Sequence, residues 1–237
     1  AGEVIKKTVL ELGGSDAFIV MPSADIEAAA KVGVDARLTN SGQSCIAAKR
    51  FLVHADVYDT YRDAFITELE RQSVGDPTLD ETDVGPLVSA EACSGLDEQV
   101  KKTVSMGGVR VTGAAPMDRP GAFFEPGVIE HIPAQSPGAV DELFGPVALF
   151  SRVRSLADAI HLANSHRYGL GSAIFTQDEE EIETAVNGLD AGTTAVNQKV
   201  ASTPELPFGG VKASGYGREL ARDGVLEFTN RKAVAIK

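Results

Sequence analysis

Asn40-Ser41-Gly42-Gln43-Ser44-Cys45-Ile46-Ala47-Ala48-Lys49-Arg50 is a polar, glycine-broken stretch between two segments of different period. Upstream, Ile26, Ala29, Ala30, Val34 and Leu38 recur at helical spacing, with Ser23 as N-cap and Asp25 and Glu27 in the first turn. Downstream, Phe51-Leu52-Val53 has the β-branched and aromatic character of a strand. The stretch is therefore a helix-to-strand connection, and its one thiol decides how it is read. Cys45 has no second cysteine nearby, which argues against a disulfide half or a metal ligand. Gly42-Gln43-Ser44 gives the backbone freedom to present the sulfur, with amides available to an oxyanion, so Cys45 reads as a nucleophile. The bland alternative is a buried thiol that behaves as a small hydrophobe.

Working outward, strand-like and helix-like segments alternate. Thr8-Val9-Leu10 and Ala17-Phe18-Ile19-Val20 are short strand runs flanked by glycines. Asp56 to about Val74 reads as helix, with Val57, Tyr61, Phe65 and Leu69 on one face, and so does Ser89 to about Met106. Val109–Val111, Val128-Ile129, Val147–Val153, Ser172–Phe175 and Thr193–Val196 read as strands. Helices are expected over Ser155–His166, with Leu156, Ala159, Ile160 and Ala163 inward, and over Asp178–Val186. Repeated strand–helix units imply right-handed crossovers and a mostly parallel twisted sheet flanked by helices, an α/β fold. A glycine-rich tail through Gly217 leads to a short helix and a last β-like run, Ala233–Ile236.

Composition narrows the function classes. Twenty-two Lys and Arg stand against thirty-four Asp and Glu, a net charge of −12, so nucleic acid and anionic membrane surfaces are expected to be repelled. No apolar run approaches the ~20 residues needed to span a bilayer. Two cysteines do not make a disulfide framework, which points to a reducing cytoplasm. His54, His131, His161 and His166 show no metal spacing, and no metal is expected.

Two carboxylates stand out. Glu11, between Leu10 and Leu12 and before Gly13-Gly14, sits in an apolar strand end that should raise its pKa toward general-base range. A strand-end Glu facing solvent is the plain alternative. In Asp141-Glu142-Leu143-Phe144-Gly145-Pro146 the period of two puts Glu142 and Phe144 on one side of an extended segment. A carboxylate there can accept from a ribose diol while the ring packs on a flat heteroaromatic, although an ordinary loop entering a strand fits too. Cys93 lies at helical spacing with Leu96, Val100 and Val104 and reads as core. The tail is no Walker loop, because Val211-Lys212-Ala213 lacks the Gly-Lys-Ser/Thr step.

Taken in order, four motifs resemble the aldehyde dehydrogenase superfamily over essentially the whole chain. They are Leu10-Glu11-Leu12-Gly13-Gly14, Gly42-Gln43-Ser44-Cys45, Glu142-Leu143-Phe144-Gly145-Pro146, and Pro207-Phe208-Gly209-Gly210-Val211-Lys212-Ala213-Ser214-Gly215. Ser44–Phe51, Pro204–Gly210 and Tyr216-Gly217-Arg218-Glu219-Leu220 are similar to the succinate-semialdehyde dehydrogenase branch. The resemblance implies Cys45 as nucleophile, Glu11 as base for the hydrolytic step, and Glu142 and Phe144 at the nicotinamide ribose and ring. It further implies Leu12 and Gly13 lining the nicotinamide pocket, Ser202 at a substrate carboxylate, and Glu219 as a proton relay. Thr39 departs from the pattern, since an Arg often stands there to bind that carboxylate.

The expected cofactor is NAD or NADP, the substrate a small aldehyde, and the assembly a homo-oligomer, with a C-terminal oligomerisation arm. The expected division is 1–13 as the end of a preceding cofactor-binding half, 14–217 as the catalytic domain, and 218–237 as C-terminal helix and oligomerisation strand. That cofactor half is expected to lie outside this chain, which would then be incomplete for hydride transfer. The rival readings are a non-enzymatic module that keeps the fold, and cofactor-free ester hydrolysis at Cys45.

Overall fold

All four residues of Ala17–Val20 are buried, so this strand (β1) must be covered on both faces. The computed structural model describes all 237 residues and shows how. Six further strands complete the sheet: β2 (Arg50–His54), β3 (Val109–Thr112), β4 (Gly127–Glu130), β5 (Val147–Val153), β6 (Gly171–Phe175) and β7 (Thr193–Val196). Their spatial order is β7-β6-β1-β2-β5-β4-β3, with every pair parallel except β3–β4. Five helices of nine or more residues cover it: α1 (Ile26–Leu38), α2 (Tyr58–Leu69), α3 (Ala90–Ser105), α4 (Leu156–Asn164) and α5 (Glu179–Gly188).

Alternation along β1 and β2 sorts the core. Phe18, Val20, Phe51 and Val53 meet α1 and α2 in one cluster, which contains Ala29, Val34, Tyr61, Phe65 and Leu69. Ala17, Ile19 and Leu52 face the other way, onto Ala159, Ala163 and Ala185 of α4 and α5. The first cluster is largely aromatic. Phe51 stands 5.2 Å from Phe18, 4.9 Å from Phe65 and 5.1 Å from Phe150, ring centre to ring centre. A third cluster seats Leu96 and Val100 of α3 against Ile129, Val147 and Leu149. Cys93 packs at its edge, as its helical spacing predicted.

Three local expectations change. Asp25, not Ser23, caps α1, its Oδ1 accepting from the Ala28 N–H at 3.1 Å. The Ser23 hydroxyl instead meets Thr176 Oγ1 and accepts from the Gln177 N–H, tying the end of β1 to the end of β6. The first strand run, expected over Thr8–Leu10, falls instead on Leu10–Glu11, where its partner lies in antiparallel Gly215–Tyr216. Ala233–Ile236 finds no partner within this chain and forms no strand. It follows a short helix, α6 (Ala221–Glu227). No helix is long and apolar enough to cross a membrane.

Candidate active site

Three segments converge at the N-terminal ends of three adjacent strands: Gly13–Asp16 before β1, Cys45–Lys49 before β2 and Glu142–Pro146 before β5. This is opposite to the strand end at which open α/β sheets usually bind ligands. The convergence depends on residues without side chains. A Cβ on Gly14 would stand 2.5 Å from the Cys45 carbonyl, and one on Gly13 would stand 2.6 Å from Glu142 Oε2. Gly13-Gly14 is thus the gap into which both other segments close.

The Cys45 loop is held under backbone strain. Asn40 (φ 53°), Ser41 (φ 56°) and Gly42 (φ 75°) are consecutive left-handed residues, of which only the glycine adopts that region freely. Such residues persist only when their surroundings over-determine them. Gln43 Nε2 donates to the Asn40 carbonyl and Asn40 Nδ2 to the Gln43 carbonyl, while Gln43 Oε1 accepts from the Val88 N–H. Underneath, the fully buried Arg37 donates to the Gly42 carbonyl at 2.8 Å and to Val147 O at 3.4 Å.

Lys49 is the second buried cation. Its Nζ donates to the carbonyls of Ser44 (3.0 Å), Cys45 (3.1 Å) and Ala47 (2.9 Å), and stands 3.2 Å from Glu142 Oε1. Burial draws its pKa down to about 8, opposed by the carboxylates of Glu142 and Asp16. Glu142 Oε1 also accepts from the Gly14 N–H at 3.1 Å. Glu142 therefore spans all three segments through one oxygen.

Cys45 is half-buried and free. Burial pushes its thiol pKa up, with Asp16 and Glu11 adding to the shift, while Lys49 and the Ile46 N–H oppose it. Glu11 is placed by the Leu10–Glu11 pairing and by a bond from the Leu12 N–H to the Ser214 carbonyl. Both of its carboxylate oxygens are buried without a hydrogen bond. Burial raises its pKa and Glu219 raises it further, against Arg218 and the Gly210 N–H, which acts on the carboxylate without reaching hydrogen-bond geometry. A buried carboxylate without partners is costly, and such groups concentrate where chemistry occurs.

The structure ties some of the remaining expected residues to this centre and leaves Ser202 apart from it. Leu12 is 50% exposed and Phe144 44% exposed, the latter with its ring centre 6.0 Å from Lys49 Nζ. Gly13 lies against the Tyr168 ring as well as Glu142. Glu219 is exposed, its backbone paired with Phe208, and its charge reaches Glu11. Ser202 is exposed in the loop after β7, with no hydrogen bond to the other site residues. Thr39 turns its hydroxyl back onto the Asp35 carbonyl and carries no charge for a carboxylate.

Three buried ionic residues escaped the sequence reading: Lys49, Arg37 and Asp16. The available signal was that Lys49-Arg50 runs directly into a strand buried on both faces. Asp16 Oδ1 accepts from the Gly171 N–H at 3.0 Å, while Oδ2 is buried without a partner. Burial raises its pKa to about 6, against Lys49, the Gly171 N–H and Arg50. A raised carboxylate favours the folded state when protonated. Its contribution is full below the unfolded value and lost as pH rises through about 6. Replacing Asp16 with Asn should therefore gain on the native protein by on the order of 3 kcal/mol between about pH 4 and pH 7, read by denaturant unfolding at both ends. A constant difference between the two proteins across that window would refute it.

Comparison with known proteins fits this geometry. The aldehyde dehydrogenase family profile matches residues 1–234. The NADP+-dependent succinate-semialdehyde dehydrogenase 1 of Mycobacterium tuberculosis is 48% identical over 236 residues, all of this chain and 52% of the relative. The corresponding Mycobacterium leprae enzyme is also 48% identical over 236 residues, again 52% of its length. A Streptococcus pyogenes succinic semialdehyde dehydrogenase solved with NADP+ superposes with a TM-score of 0.95 at 39% identity, over 100% of this chain and 52% of that one. The chain thus spans about half the length of the relatives it matches. The α/β architecture and the ordered motifs place this chain in the aldehyde dehydrogenase family.

Proposed function

We propose that this chain carries the nucleophile and hydrolytic base of an NADP+-dependent aldehyde dehydrogenase acting on succinate semialdehyde. The observation that carries the reading is Glu11, whose two carboxylate oxygens are buried without a hydrogen bond and whose charge reaches the half-buried Cys45 thiol in its strained loop. The substrate class rests on the relatives, which are succinate-semialdehyde dehydrogenases at 48% identity.

The residues fit a nicotinamide riboside. Glu142 Oε2 makes no bond within the chain, and Phe144 offers an exposed ring. Glu142 would hold the ribose diol, Phe144 the ring, and Leu12 and Gly13 the pocket wall. When bound, the dinucleotide supplies the hydride acceptor.

Cys45 as thiolate attacks the aldehyde carbon, forming a C–S bond and an oxyanion that its own N–H helps to hold. After the carbon loses hydride, an acyl thioester remains on Cys45. Glu11 takes a proton from water, the hydroxide adds to the thioester carbon, and the C–S bond breaks to return the thiolate and release the acid. Glu219 would pass the proton from Glu11 to solvent, and Ser202 would meet the substrate carboxylate. A cytoplasmic location and a homo-oligomer built through the C-terminal arm complete the proposal, with residues 14–217 as the catalytic domain.

Glu11→Gln separates the steps. It should retain a burst of NADPH while steady-state turnover falls about 10²–10³-fold, because only the hydrolytic step needs the base. Loss of the burst together with normal steady-state turnover would overturn the assignment. In the native protein the hydrolytic step should fade as pH falls through the raised Glu11 pKa, since the base must be ionised.

A further inference from the structure

Lys49 makes more polar contacts than any other side chain of the site, and no step above uses it. It is completely buried, it donates to three carbonyls of the Cys45 loop, and it faces a carboxylate that also holds the Gly14 N–H. Three loop carbonyls turned inward at one ammonium leave the Cys45–Ala47 peptides with a fixed orientation. The same ammonium is a unit positive charge a few residues from the thiol.

We propose that Lys49 is a positioning residue: its ammonium locks the Cys45 loop to Glu142, fixing the thiol and biasing it toward thiolate. The inference rests on Cys45 being the nucleophile. The loop and the Glu142 carboxylate then move as one unit. Glu142 Oε1 is committed to Lys49 and the Gly14 N–H, which leaves Oε2 as the oxygen available to a diol.

The charged groups around the pair are few. Lys49 faces Glu142 and Asp16, which favour its charge, and Arg37, which opposes it. Cys45 faces Lys49, which favours the thiolate, and Asp16 and Glu11, which oppose it. Arg50 acts at one remove, through Asp16. Among them Lys49 is the one cation acting on the thiol. Its removal should therefore raise the Cys45 titration whatever it does to stability.

The test is the pH profile of Cys45 alkylation by iodoacetamide in the protein, followed by peptide mass spectrometry that separates Cys45 from Cys93. Lys49→Met should move the alkylation midpoint up by about one pH unit, and so slow labelling near neutral pH about tenfold. The double variant Lys49→Met/Glu142→Gln removes the orphaned carboxylate as well. It should recover thermal stability relative to Lys49→Met while the midpoint stays raised. If Lys49→Met does not fold, Lys49→Gln, which keeps amide donors for the loop carbonyls and loses the charge, carries the same expectation. An unchanged midpoint, or one that returns to the native value in the double variant, would show a merely structural lysine and overturn the inference. Failure of the underlying assignment looks different: Cys45→Ala would keep aldehyde oxidation, or aldehyde would fail to protect Cys45 from alkylation.

Discussion

Cys45→Ser should lower kcat/KM for succinate semialdehyde by at least about 10³-fold, with no burst of NADPH before the steady state. The hydroxyl is isosteric enough to keep the loop, so melting temperature and far-ultraviolet circular dichroism should match the native protein. A serine oxygen is far harder to ionise than the thiol, and neither general route to activation compensates. The Lys49 charge works on a group whose pKa starts several units higher. Glu11 takes its proton from water in the later step and is not placed as a partner of the Cys45 side chain. The measurement is NADPH formation under saturating aldehyde, with Cys93→Ser as the control. Cys93 sits at the edge of the α3 cluster, with its sulfur 3.9 Å from the Phe123 carbonyl, and its loss should leave kcat/KM unchanged. Residual turnover within tenfold of native in Cys45→Ser would end the proposal.

Gly42→Ala should be strongly disruptive although it adds a single methyl group. The added Cβ would stand 2.4 Å from both the carbonyl carbon and oxygen of Gly145, and 2.8 Å from Pro146 N, all backbone atoms that cannot rotate away. The residue also sits at φ 75°, where alanine is strained. Left-handed strain of about 1–2 kcal/mol and an overpacking cost of about 1–3 kcal/mol give a loss of roughly 2–5 kcal/mol. Because the clash is between the Cys45 loop and the Glu142 segment, activity should fall along with stability. Gly95→Ala is the contrast. An added Cβ there meets nothing within 4 Å, and in the interior of α3 the change should stabilise by about 0.5–1 kcal/mol. Equal effects from the two substitutions in denaturant unfolding would refute the account.

Much of this architecture is readable from the chain, and the parts that are not have a common cause. Val147–Val153 and Thr193–Val196 are strands to the residue, because period and bounding turn residues both mark them. Glu11 is visible as a carboxylate in apolar company, and Glu142 as one with an aromatic ring two residues on. Ser23 and Asp25 compete for one cap, and only the position of Thr176, far along the sequence, draws the serine away. Lys49 and Arg37 belong to residue types that are almost never fully buried unless paired. Their partners are loop carbonyls and a carboxylate brought in by β5, so burial here is a property of the assembled sheet. The strain at Asn40 and Ser41 is hidden for the same reason: neither residue type demands a left-handed backbone, and the bonds that hold the turn run between Asn40 and Gln43 and from the distant Val88 N–H to Gln43.

The Leu10–Glu11 pairing with Gly215–Tyr216 has a kinetic meaning. These partners are separated by nearly the whole chain, so their contact carries a large loop-closure entropy and belongs among the last to form. The sheet can assemble around Phe18 and Phe51 before the chain ends meet. Glu11 would then reach its place in the site only at the end of folding. A protease that removed the glycine-rich tail from a folded molecule would release the base while leaving the nucleophile seated, two functional groups of one site with separate lifetimes.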